Sequence, residues 1–63
     1  MEASELLNEF KRINSSVEVI SYEVVEANDP VPALDGFWLK VTTKHHGWLH
    51  VYVNRDSKCL EWY

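Results

Sequence analysis

His45, His46, His50 and Cys59 are the side chains of this sequence best able to hold a metal ion or act as nucleophile and base. Zinc requires three or four such ligands converging on one tetrahedral point. His45 and His46 precede Gly47 in what reads as a tight turn, so their rings should diverge, while His50 projects from the strand that follows. Register places Cys59 opposite Asn54, four residues along from His50, or roughly 13 Å at about 3.3 Å per residue. The same distance defeats a Cys59–His50 dyad, because nucleophile and base must lie within hydrogen-bond reach. The expectation is exposed histidines, a small and partly buried Cys59, and neither metal nor cofactor. Carboxylates for acid–base work must face each other in a cleft. Glu18, Glu23 and Glu26 read as one acidic strand, with Asp29 and Asp35 in a loop, and nothing forces a pair together. No glycine-rich phosphate loop, serine elbow or zinc-protease helix motif occurs. Enzymatic activity is not expected.

A different chemistry is carried by Trp38, Lys40, Thr42, Lys44, Trp48, His50, Tyr52, Glu61 and Tyr63. Their alternation with apolar residues assigns them to one sheet face, turned away from the core. Three-residue connection His45-His46-Gly47, with Gly47 left-handed, matches the two apolar faces. That register pairs Val41 with Val51, Leu39 with Val53, Lys40 with Tyr52, Thr42 with His50 and Lys44 with Trp48. Aromatic and cation pairs of this kind stabilise an exposed sheet by roughly 0.5–1 kcal/mol each. Trp, Tyr and His flanked by Lys are also the composition of a protein interface. The candidate binding residues are therefore Trp38, Lys40, Lys44, Trp48, His50, Tyr52 and Tyr63. The expected partner is another protein or a second copy of this chain, giving a homodimer. The alternative is stacking of single-stranded nucleic acid on the same rings, with Lys40 and Lys44 against phosphates.

These residues need elements to position them. Leu6, Leu7, Phe10 and Ile13 form a helical stripe within the first fourteen residues, with Ser4 as N-cap and Asn14 as a left-handed C-terminal stop. Val17 to Ala27 is rich in β-branched residues; alternation puts Ile20, Tyr22 and Val24 on the core face, and Val19 and Val25 break it, which implies an irregularity or a stretch covered on both faces. Residues 28–36 contain two prolines and Asp35-Gly36, the composition of a loop. Phe37, Leu39, Val41 and Leu49, Val51, Val53 supply the core faces of a hairpin. A last strand adds Leu60 and Trp62, setting Glu61 beside Tyr52 and Tyr63 beside His50. The fold expected is α+β: an N-terminal helix packed on a three- to four-stranded antiparallel meander.

With 63 residues there is one domain, and no room for a second lobe around a cofactor cleft. The net charge of −4 is uneven: residues 1–36 carry −6 and residues 37–63 carry +2. An acidic chain argues against general nucleic-acid affinity, which needs clustered Lys and Arg. No run of about 20 apolar residues suggests a membrane span. A lone cysteine and an acidic start without a secretory leader point to a reducing, cytoplasmic setting.

Val51-Tyr52-Val53-Asn54, a polar turn, and Leu60-Glu61-Trp62 resemble the closing hairpin of PepSY domains and related small cystatin-like layers. The order helix, strand, long turn, hairpin and short strand extends the likeness over most of the chain. Asn54 stands where that family usually carries aspartate, Ser57-Lys58 replaces its Thr-Gly, and the turn is one residue shorter. The resemblance implies a non-catalytic module that inhibits or docks onto a partner protein. Glu5-Leu6-Leu7-Asn8-Glu9-Phe10 and Tyr22-Glu23-Val24-Val25-Glu26 are similar to segments of double-stranded RNA-binding domains. Those domains continue into a basic second helix, which these residues do not supply.

Overall fold

The apolar stripe near the N-terminus forms helix α1, Ala3–Ile13, in a computed structural model that describes residues 1–28 and 31–63. Asp29 and Pro30, expected in the loop, lie outside the described residues. The helix starts before Ser4. Glu2 is the N-cap, and its backbone N–H donates to the Glu5 carboxylate at 3.1 Å. A glutamate at the third helical position can reach back in this way, so the sequence Glu2-Ala3-Ser4-Glu5 favours the earlier start. Asn14 ends the helix without a left-handed turn: its φ is −113°. Its backbone N–H and its side-chain amide both donate to the Phe10 carbonyl, at 2.9 and 3.2 Å, which satisfies an orphan acceptor of the last turn.

Strands β1 (Val19–Glu26), β2 (Phe37–Thr43), β3 (Trp48–Val53) and β4 (Leu60–Trp62) follow, in spatial order β1-β2-β3-β4, every pair antiparallel. The architecture is α+β, one helix on a four-stranded open sheet. The β3–β4 register places Tyr52 opposite Glu61 and Val53 opposite Leu60, as the parity across the Asn54–Cys59 turn requires. The β2–β3 register differs from expectation by one pair: Val41 faces Leu49, Leu39 faces Val51, Lys40 faces His50 and Thr42 faces Trp48. The turn consists of Lys44, His45 and His46, closed by Thr43 N–H on the Gly47 carbonyl at 2.8 Å. The Thr43 hydroxyl donates to that carbonyl and accepts the His46 N–H, and Thr43 is buried. These bonds favour the slipped turn. Each partner moves by two residues, so every side chain within β2 and β3 stays on its expected face, while Lys44 leaves the strand for the turn. Gly47 is left-handed at φ +69°, as the turn demands.

The core joins Leu6, Leu7 and Phe10 of α1 to Leu39, Val41, Val51 and Val53, with Phe37, Leu49, Leu60 and Val19 packed around it. The helix lies over β3. Its cover does not reach β1, and there the expected core fails: Ile20, Tyr22 and Val24 are 61%, 45% and 53% exposed. Tyr22 and Val24 do sit opposite Val41 and Leu39, on the helix side of the sheet, but no element covers them. A register shift between Val19 and Ser21 interrupts the alternation at Ile20 and turns Val19 toward the core instead. Ile13, the last helical residue, is also exposed, whereas Phe10 one turn earlier is fully buried. Trp62, on the opposite edge strand, is partly exposed yet keeps an edge-on contact with Phe10, ring centroids 5.7 Å apart.

Candidate functional site: the outer aromatic face

Alternation along β2 and β3 sends Trp38, Lys40, Trp48, His50 and Tyr52 to the face opposite α1, and the β3–β4 register adds Glu61 and Tyr63. The rings form a continuous assembly. His50 is its centre, with centroids 4.4 Å from Trp38, 4.8 Å from Trp48 and 4.2 Å from Tyr63, the last nearly parallel at 11°. Trp38 and Trp48 stack at 6.3 Å, and Tyr63 meets Tyr52 edge-on at 6.1 Å. Such pairs stabilise by about 0.5–1.5 kcal/mol beyond their buried area. The two-way bonding of His50 and Tyr63, N–H to carbonyl at 2.8 and 3.1 Å, holds the stack's far end.

The cation on this face is Lys40, whose Nζ sits 4.9 Å from the Trp48 ring centroid. Expectation paired Lys44 with Trp48 and Lys40 with Tyr52. The one-pair slip moves Lys44 into the turn, where its N–H donates to the Glu18 carbonyl at 3.0 Å, and brings Lys40 diagonally to Trp48. Glu23 is directly opposite Lys40 on β1.

Tyr52 departs from the expected surface role: it is only 5% exposed. The segment 31–35, read from sequence as part of a loop, lies beside the end of β3. Leu34 N–H donates to the Val53 carbonyl at 2.8 Å and Arg55 N–H to Pro32 at 2.9 Å, with Ala33 bridged to Asn54. Its Val31 is buried and shares a hollow of about 270 Å³ with Val25, Trp38, His50 and Tyr63. Nothing in the Pro-Val-Pro sequence reveals that this valine returns to the sheet. The Tyr52 hydroxyl donates to Glu61 at 3.3 Å, and Asn54 Nδ2 and Ser57 donate to the same carboxylate at 3.0 and 3.3 Å. Burial first, and the Glu61 charge second, push the Tyr52 phenol above its ordinary pKa. Asn54 Oδ1 also accepts the N–H groups of Asp56 and Ser57. An aspartate could accept those turn bonds but could not donate to Glu61, which explains why an amide suits this position.

The exposed part of the face thus comprises Trp48, 48% exposed, and Tyr63, 57% exposed, with Trp38, His50 and Lys40 half-buried between them. A second hollow, about 380 Å³, runs past Tyr52, Leu60, Glu61, Trp62 and Tyr63 along β4, so Tyr63 stands between two depressions. His45 and His46 are exposed in the turn. Cys59 is exposed rather than partly buried: β4 begins only at Leu60, and the thiol contacts its own turn through the Ser57 carbonyl at 3.4 Å. Among the described residues no three His, Cys, Asp or Glu side chains gather as a metal site, and no helix is long and apolar enough to cross a membrane. The chain matches no family model, no curated protein and no solved structure.

Proposed function

We propose that this domain is a small, non-catalytic protein-interaction module that docks through its outer aromatic face. The observation carrying the reading is the half-exposed ring stack Trp48–Trp38–His50–Tyr63, held on a hydrogen-bonded sheet and flanked by two hollows. Trp and Tyr in that setting are the residues that dominate interface energies. Trp48 and Tyr63 each leave roughly 100 Å² of ring surface in water, so burying both contributes about 2.5 kcal/mol apiece at about 25 cal/mol per Å². Four strands of eight, seven, six and three residues, about 4.8 Å apart, offer only some 400 Å² of face, the size of a weak or transient contact. The partner is a protein, or a second copy that pairs the two faces. Such a role agrees with the docking or inhibitory activity that the likeness to PepSY domains implies.

Charge favours a protein over a nucleic acid. The ammonium of Lys40 is already engaged with Trp48, and Glu23 and Glu61 lie on the same face, in a chain of net charge −4. Phosphates would meet one cation and two carboxylates. The test compares wild type with Trp48→Ala and Tyr63→Ala by sedimentation equilibrium and by capture of partners from lysate. The substitutions should abolish whatever association wild type shows while leaving circular dichroism unchanged. Association that survives both substitutions refutes the assignment. Salt-sensitive binding of a single-stranded oligonucleotide that is lost in Lys40→Ala would transfer the same rings to the stacking role.

A further inference from the structure

A second surface, independent of the aromatic face, lies at the β1 edge. Ala27 N–H donates to the Gly36 carbonyl at 2.9 Å, and in an antiparallel ladder the residues bonding to one neighbour alternate. With the β1–β2 register, Ser21, Glu23 and Val25 therefore turn their backbone groups toward β2, and Tyr22, Val24 and Glu26 turn theirs outward, away from the sheet. The bulge that blunts many edges is confined here to Val19–Ser21, so Tyr22–Glu26 is a regular edge stretch with no neighbouring strand on its outer side among the described residues. On its helix side the same stretch exposes Tyr22 and Val24, which α1 fails to cover.

Charge indicates what fits this edge. Glu18, Glu23 and Glu26 are exposed, and the ion pairs among the described residues, Met1–Asp35 and Glu9–Arg12, use none of them. A second copy would bring the same three carboxylates to the edge. Basic residues would answer them. We propose that β1 accepts, as a fifth strand, an extended basic segment of another protein. Its apolar side chains, at alternate positions, lie on Tyr22 and Val24, and its Lys or Arg side chains lie on the opposite face beside Glu23. Main-chain bonds to Tyr22, Val24 and Glu26 supply affinity, and the alternating side chains supply selectivity.

The probe is an acetylated, amidated octapeptide of alternating valine and lysine, added to isotope-labelled chain, with a valine–glutamate octapeptide as control. At saturating peptide, amide exchange at Tyr22, Val24 and Glu26 should slow at least about tenfold, while Ser21, Glu23 and Val25, already bonded to β2, change little. Val24→Pro removes an outward donor without touching the β1–β2 ladder, and should abolish the effect in a chain whose amide spectrum stays folded. Should that variant unfold, Glu23→Lys/Glu26→Lys still decides the matter, because it should reverse the preference toward the valine–glutamate peptide. The proposal is overturned by unchanged exchange at the three amides, by equal binding of both peptides, or by shifts confined to the Trp38 and Trp48 indoles. It is equally overturned if the three amides are protected without peptide and the chain sediments as a dimer through this edge.

Discussion

Replacing Tyr52 with Ala separates the two halves of the aromatic face, the sealed and the open. Tyr52 is 5% exposed, fixed by Glu61 at its hydroxyl and by Tyr63 at its ring edge. Truncating a buried aromatic to Ala costs about 3–5 kcal/mol. A domain of this length holds only about 3–9 kcal/mol in total, so Tyr52→Ala should be largely unfolded or close to it at 25 °C. Tyr52→Phe keeps the ring and loses one donor to a carboxylate that retains Asn54 and Ser57, a change of about 0.5–1 kcal/mol. Trp48→Ala removes an exposed ring and its Lys40 contact, about 1–2 kcal/mol. Urea unfolding followed by tryptophan fluorescence ranks the three, and for a chain this short each kcal/mol moves the thermal midpoint by about 4–8 °C. If Tyr52→Ala costs under about 1 kcal/mol with an unchanged denaturant slope, or no more than Trp48→Ala, the Tyr52 ring is not packed as its burial requires.

Gly47→Ala should cost about 1–2 kcal/mol in the same assay: a Cβ there meets nothing within 4 Å, so the cost is the left-handed backbone alone. In a spectrophotometric titration Tyr52 should ionise at higher pH than a free phenol. Because its folded pKa lies above the unfolded one, its contribution is full below about pH 10 and lost as pH rises further, and Tyr52→Phe should remove that part of the alkaline decline. Glu9 is held below the ordinary carboxylate range by its hydrogen bonds from Arg12, so Arg12→Ala should raise its carbon-detected titration midpoint, and no change would discount the pair. Cys59 should react with a thiol reagent as fast in the native protein as in urea, and slow native reaction would contradict its exposure.

Side-chain parity was legible in the amino-acid order alone. A period of two along 37–43 and 48–53 separates valines and leucines from tryptophans, lysines and tyrosines, and a sheet buried on one side permits no other arrangement. The β3–β4 register was equally readable, because the polar Asn54–Cys59 turn leaves one alignment that buries Leu60. Even the slipped hairpin register, set by hydroxyl bonds of Thr43 that alternation does not encode, left every strand residue on its expected face and displaced only Lys44 into the turn.

Exposure was a different matter, since it depends on where the third dimension supplies a lid. Tyr22 and Val24 carry core parity, yet one eleven-residue helix has too little breadth to shelter four strands, and it settles over β3. Tyr52 carries surface parity, yet it is buried, with the Glu61 carboxylate at its hydroxyl and the Tyr63 ring against it. Alternation along a strand reports which way a side chain points. Whether anything waits there is decided by packing between segments distant in sequence, and that packing alone produced both the closed end of the aromatic face and the open edge of β1.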